Sequence, residues 1–482
     1  MPKLIANAMI DDVVTEAIQL SLCFMTDPGH ARHVPFALTP AVFSAELINR
    51  LAFVAPLLGR LTQVIAKQSE LLQTLHAPLA PGDAFFAELL SMHRELSQAD
   101  SELPCVPLLL QRSDFMLDAQ RGAGLVECNS IAAGMSPFGA RTHTLHRYVA
   151  QRWPQEIRQY NESVESVMLP NPAIEQLGQA VASAARKIRL EHADDGASVF
   201  LMVVQEREDN VFDQHLLERD LQERGVLTLR RTFRQLHGAL TTGPNQRLML
   251  DGLGIDVVYL RAGYQYQDYL ATDLDSKRCC DALRATRIAI ERHRVAVNAT
   301  VAQQLATSKR TQQHLASLSA EQLAELGFTV QEVAALQGVF TEMRAIDDTT
   351  IDWMRSEASA ADWVLKNQGE GGGHCLFDDD IQPRIARLAA DEYPAWGLMR
   401  RLRPLGRSAP TLVVREGVGR RVEALVSELG MFSAHYDDEP LVSAEGLPPG
   451  YVGYLVRSKP PEVTEGGVHS GFGMLDSIAV TK

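Results

Sequence analysis

Lysine is scarce in this chain of 482 residues: eight of the 46 basic residues are Lys and the rest are Arg. Cysteine is scarcer still. Its six residues (Cys23, Cys105, Cys128, Cys279, Cys280 and Cys375) form no zinc-like CxxC pair and are too thinly spread for a disulfide scaffold, so they read as reduced thiols. No run of eighteen apolar residues occurs, and the first thirty residues carry Asp11, Asp12 and Glu16, which argues against a membrane span or a signal peptide and favours a cytoplasmic protein. Positive charge is in deficit as well. With 60 acidic residues and a formal charge of −14, the chain lacks the basic footprint of a nucleic-acid or membrane-surface binder, while local Arg and Lys clusters leave room for a small anionic ligand.

What is present is a large apolar fraction, 46%, enough for more than one core. Up to about Leu96 the apolar residues recur at helical spacing, as in Val13, Ala17, Ile18 and Leu22, which predicts a helical opening region. The run Gly124-Leu125-Val126-Glu127-Cys128-Asn129 reads as a strand ending in polar residues, the place where ligands gather in α/β folds. A helix over about 174–192 is followed by the continuous apolar run 198–204, expected for a strand buried on both faces. A helix (215–224) and strands at 226–229 and 257–260 complete a parallel α/β pattern. Two capping boxes, Ser319-x-x-Gln322 and Thr329-x-x-Glu332, start later helices. The last 120 or so residues are rich in strands and glycine, with strands expected at 363–366, 411–414, 422–425 and 454–456.

Three groups of residues carry the chemistry. The segment Val364-Leu365-Lys366-Asn367-Gln368-Gly369-Glu370-Gly371-Gly372-Gly373-His374 sets a lysine on a strand before a loop whose glycines let backbone amides close over phosphate oxygens. It is neither a Walker loop nor a dinucleotide fingerprint, and taken alone it reads equally as a surface hairpin. Carboxylates at strand positions form the second group: Glu127 with Asn129, Glu370, and Glu428 in Ser427-Glu428-Leu429-Gly430. Converging, they would suit magnesium on a nucleotide; singly, each reads as a solvated strand end. Arg112, Arg261 and Arg457 form the third group and suggest a substrate with more than one carboxylate, although any one of them could be a surface ion pair.

Taken in order, nine segments from Arg112 to Asp476 resemble the eukaryotic-type glutathione synthetases, a branch of the ATP-grasp ligases. They are Arg112-Ser113-Asp114-x-Met116; Glu127-x-Asn129-x-Ile131; Gln205-Glu206 through Asn210-x-Phe212-Asp213-Gln214; Arg231-Thr232-Phe233; Tyr259-x-Arg261-x-Gly263-Tyr264; the lysine-glycine loop; Ser427-Glu428-Leu429-Gly430; Arg457-x-Lys459; and Gly466-Gly467-Val468. The resemblance implies an α/β (α+β) ATP-grasp body with an inserted parallel α/β substrate lobe at 196–305 and a glycine-rich lid at about 345–415. Residues 1–195 and 306–482 would supply the body. It implies ATP and Mg²⁺, ligation of γ-glutamylcysteine to glycine through an acyl phosphate, and a homodimer.

By that resemblance Glu127, Asn129 and Glu370 hold magnesium. Lys309, Lys366 and Lys459 contact the nucleotide, with Gln368, Gly371, Gly372 and Gly373 in the covering loop, Met399 and Leu402 at the adenine hinge, and Glu428 near the ribose or base. Arg112, Ala132, Gly134, Glu208, Asn210, Gln214, Arg261 and Tyr264 line the donor site, and Arg457, Val468 and His469 the acceptor site. Arg457, Lys309 and Lys366 are the candidate catalytic residues. Three departures are visible: Ala132 and Gly134 stand where the family usually has serines, His469 where it has a small residue, and Arg400 where an acidic residue is common.

Overall fold

The computed structural model describes residues 3–98, 104–163, 165–274, 282–369, 375–464, 466–468 and 472–481. The expected sites Glu370, Gly371, Gly372, Gly373 and His469 lie outside the described residues.

The helical opening is interrupted. Helices α1 (Lys3–Gln19) and α2 (Ala45–Ala66) enclose short strands at Cys23–Asp27, His30–His33, Phe36–Ala37 and Ala41–Ser44. Ser44 caps α2 by accepting a hydrogen bond from the Leu47 amide at 3.2 Å. The residues Ile48, Leu51, Val54, Leu58, Leu61 and Ile65 then recur every three or four positions and bury one face. That spacing makes α2 a core helix lying against the sheet.

The site is organised by one long mixed sheet. Strand β1 (Val106–Asp118) pairs antiparallel with β2 (Gly122–Asn129), placing Arg112 opposite Asn129 and Asp114 opposite Glu127. Helix α3 (Ser136–Arg152) follows, and then α4 (Ala173–Glu191). Strand β3 (Val199–Val203), buried at all five positions as its unbroken apolar run predicts, leads to α5 (Val211–Glu223) and β4 (Leu227–Arg231). Strands β5 (Val257–Leu260) and β6 (Ala296–Asn298) complete a parallel ladder in the order β6-β5-β3-β4. This ladder is not isolated: β6 pairs in parallel with β1 at Val106 and Pro107.

Helix α6 (Lys309–Ala316) is capped by Ser308, and both expected capping boxes are formed. Strands β7 (Met343–Ala345), β8 (Trp363–Asn367), β9 (Cys375–Phe377) and β10 (Trp396–Arg400) make a separate four-stranded antiparallel sheet. It packs on its own apolar cluster, which includes Ile346, Met354, Trp363, Leu365, Ile381 and Leu398. The chain then returns to the long sheet with β11 (Thr411–Arg415), β12 (Val426–Tyr436), β13 (Tyr451–Lys459) and β14 (Met474–Asp476). The apolar segment 422–425, expected as a strand, falls mostly at the break between the strand Val418–Val422 and β12. Among the described residues no helix is long and apolar enough to cross a membrane.

Candidate functional site

Strands β2, β8, β10, β12 and β13 and the loops that follow β3 and β5 border a cavity of about 1190 Å³. Of the expected residues, Arg112, Glu127, Asn129, Ala132, Gly134, Glu208, Asn210, Arg261, Tyr264, Lys366, Met399, Leu402, Glu428, Arg457, Lys459 and Val468 line it. Lys309, Gln368 and Gln214 stand one layer back. The Lys309 ammonium donates to the Gly369 carbonyl at 2.8 Å, and Gln368 accepts from the Arg310 amide at 2.9 Å. Gln214 donates to Glu208 at 2.8 Å and accepts from Arg230 at 2.5 Å, so it steadies a lining residue.

One end of the cavity is built on β1, β12 and β13, three adjacent antiparallel strands. Asp114, fully buried, accepts from Arg112 Nε at 2.7 Å and Nη2 at 2.8 Å, from Arg457 Nη2 at 3.1 Å and from Asn129 Nδ2 at 3.2 Å. Arg457 also donates to Glu428, its cross-strand partner. Burial pushes the Asp114 carboxyl up, while Arg112 and Arg457 pull it back. Gly430, opposite Asp114, explains the glycine of Ser427-Glu428-Leu429-Gly430. A Cβ there would lie 2.9 Å from both Arg112 Cδ and Asp114 Oδ1, so any side chain would break the buried pair.

Arg261 follows the end of β5 and is buried, and its Nε and Nη1 have no hydrogen-bond partner among the described residues. Burial works against its charge, but Tyr259, Glu208 and Asp213 raise its pKa and keep it protonated. The turn before α3 holds the guanidinium from the other side. Ala132 and Met135 take left-handed backbones (φ 50° and 71°), and a Cβ at Gly134 would fall 2.3 Å from Arg261 Nη1. Asp213 on α5 fixes this turn by accepting from the Met135 and Phe138 amides at 2.8 and 3.1 Å. Tyr264 is held by Gln205, which donates to its hydroxyl at 3.0 Å, and the Asn210 carbonyl oxygen is buried without a partner.

Lysines gather at the other end. Lys366 on β8 donates to the Val126 carbonyl at 3.1 Å and Lys459 to the Thr464 carbonyl at 2.6 Å; both ammonium stems are buried. Burial alone would raise the Glu127 pKa, yet Lys309 and Lys366, with Arg112 and Arg457 behind them, pull it down to about 2. Glu127 is therefore a fixed anion. Asn129 spends its amide nitrogen on Asp114 and Glu127, which turns its carbonyl oxygen away from both. A carboxylate and an amide oxygen two residues apart on one strand are hard donors of the kind magnesium takes.

Sequence reading quoted Asp114 within a motif but gave it no role. The signal was available: residues i and i+2 of a strand share a face, so an Arg-Ser-Asp strand sets an acid beside the guanidinium. Gln304 and Thr307, which line the cavity from the helix after β6, carried no such signal. On the rim, Arg401 and Arg403 are tied to Asp378 and Asp362 at 2.5 and 2.8 Å, and Arg400 reaches Asp362 at 3.4 Å.

Residues 6–480 match the family model described as eukaryotic glutathione synthase, ATP-binding domain. The chain is 29% identical over 452 residues to the chloroplastic glutathione synthetase of Solanum lycopersicum, covering 92% of this chain and 77% of that one. Against the human glutathione synthetase it is 27% identical over 482 residues, covering 98% and 96%. A glutathione synthetase-like effector from Globodera pallida, solved in its apo form, shares the fold with a TM-score of 0.72 at 17% identity, covering 100% of this chain and 98% of that one. With nearly its whole length matched, the chain belongs to the eukaryotic glutathione synthase family.

Proposed function

We propose that the chain is an ATP-dependent ligase that joins γ-glutamylcysteine to glycine, releasing ADP and phosphate. One observation carries the reading: a single cavity has buried arginines at one end and, at the other, buried lysines beside Glu127, whose pKa the surrounding cations hold down. Arg261, with its two unpartnered N–H groups, and Arg112 receive the carboxylates of the acid donor, and Asn210, Glu208 and Tyr264 read its γ-glutamyl end. Lys366 and Lys459 face the nucleotide phosphates, Lys309 adds its charge from behind them, and Met399 and Leu402 border the base. Glu127 and Asn129 are the residues that would hold Mg²⁺, which when bound neutralises phosphate charge.

The chemistry follows from position. The donor's terminal carboxylate attacks the γ-phosphorus of ATP and ADP leaves; the free amine of glycine then attacks the acyl carbon, loses a proton and expels phosphate. Arg457 sits between the two events, touching Asp114 of the donor side and Glu428 of the nucleotide side, and it orients the acceptor carboxylate. In this reading residues 196–305 act as the substrate lobe, and the sheet β7–β10, inside 345–415 for most of its length, acts as the lid that keeps water from the acyl phosphate.

Ala132 and Gly134 favour one second reading, a ligase of the same chemistry with a different acid donor. Coupled ADP release from purified protein, ATP and Mg²⁺ separates the two. Turnover that requires both γ-glutamylcysteine and glycine supports the first; turnover only with another acid supports the second, and none with either acid refutes both.

A further inference from the structure

A second cavity, of about 670 Å³, opens between α3, α4, α5 and the turn at Gln19–Ser21. Its charged lining comprises Arg141, Arg147 and Arg219 against Glu175, Asp220 and Glu223, with His143 among them. Two of these acids are already matched: Arg219 pairs with Glu223 at 3.2 Å within α5, and Arg224, the residue that ends that helix, pairs with Asp220 at 2.6 Å. Arg141 and Arg147 have no hydrogen-bond or ion-pair partner among the described residues, which leaves Glu175 alone against two guanidinium groups.

Two polar atoms here are buried without a partner, Arg141 Nε and His143 Nδ1, and the His143 residue is only 8% exposed. Leaving such atoms unsatisfied costs stability, so a ligand that accepts from them recovers that cost. The wall opposite α3 contributes the start of α4, whose N-cap is Pro172 and which no side chain caps. Free amide N–H groups at the N-terminus of a 19-residue helix favour an anion. Burial holds the His143 imidazole neutral, so it offers one N–H rather than a charge.

We propose that this cavity is a second binding site, for a small oxyanion of the phosphate or carboxylate kind, held by Arg141, Arg147, His143 and the first turn of α4. Both α3 and α5, which wall it, begin at the donor end of the main cavity, α3 at the turn that carries Gly134 and α5 just after Asn210.

The test is calorimetric titration of inorganic phosphate, and separately of glutarate, into the full chain whose main cavity is saturated with a non-hydrolysable ATP analogue, Mg²⁺, γ-glutamylcysteine and glycine. Expected is one anion bound per chain, with affinity reduced about tenfold or more by Arg141→Gln combined with Arg147→Gln and left unchanged by Arg457→Gln. The phosphate and glutarate arms show which oxyanion the site prefers. Arg147→Gln alone, at an exposed position, guards against misfolding of the double variant and gives a smaller loss of the same sign. Absence of binding in both arms, binding that survives the double variant, or binding lost with Arg457→Gln overturns the proposal.

Discussion

Gly134→Ala places a methyl group where the structure has none to spare. The added Cβ would sit 2.3 Å from Arg261 Nη1, 2.7 Å from Nη2 and 2.9 Å from Cζ, all well inside contact distance. Arg261 lines the main cavity, so its guanidinium gives way into that space and leaves the unpartnered position it holds against the turn. Hydrogen bonds to charged groups contribute about 1.5–3 kcal/mol each, and losing one or two of them to the donor carboxylate amounts to about 3 kcal/mol, or roughly a hundredfold in affinity. The expected result is a KM for γ-glutamylcysteine raised by about that factor, with ATP affinity measured by calorimetry unchanged. Gly134→Ser meets the same collision, so a hydroxyl at this position does not rescue binding. A donor KM within about twofold of the parent in both variants would refute the argument, since 0.4 kcal/mol is too small to represent a displaced guanidinium.

Two further perturbations address the opposite arginine pair and the fixed anion. Asp114→Asn removes the charge that Arg112 and Arg457 share; Arg457 keeps Glu428, but the buried Arg112 guanidinium is left without a carboxylate, which costs on the order of 3–5 kcal/mol. Denaturant unfolding should register that loss, and KM for donor and acceptor should rise together because one carboxylate positions both arginines. Glu127 has its pKa lowered from 4.5 to about 2, so its contribution is complete above pH 4.5 and fades as pH falls toward 2. Denaturation of the parent from pH 6 downward should therefore lose an acid-sensitive component, about 3 kcal/mol in full, that Glu127→Gln lacks; equal acid sensitivity in the two proteins would contradict the assignment.

How far the sequence could be read depended on what each signal encodes. The run at 198–204 gave a doubly buried strand because burial on both faces requires continuous apolarity, and it stands at Val199–Val203. Capping boxes were legible because their hydrogen bonds are local, as at Ser319 and Thr329. The first strands, at 23–44, were lost inside a helical reading: two- to five-residue strands are too short to impose a period of two. Arg112 lies mid-strand in β1, a position its local sequence does not fix, because its cross-strand partners Phe432 and Asn129 come from elsewhere in the chain. Pairings of that kind, Asp114 with Arg457 most of all, depend on tertiary register. The Gly134 contact with Arg261 likewise joins residues far apart in sequence, and only the assembled turn gives that glycine a reason.

The pairing of β6 with β1 makes the parallel ladder and the antiparallel strands one continuous plate. Arg261, just beyond β5, and Arg112 and Arg457, on β1 and β13, are thus bolted to the same plate, and their spacing is fixed when the chain folds. Closing over a ligand cannot bring them nearer to one another. The four-stranded sheet with Lys366 has a separate core, so in the proposed reaction the molecule would work like a vice with one stationary jaw, recognition being prefabricated and adjustment left to the jaw that carries Lys366.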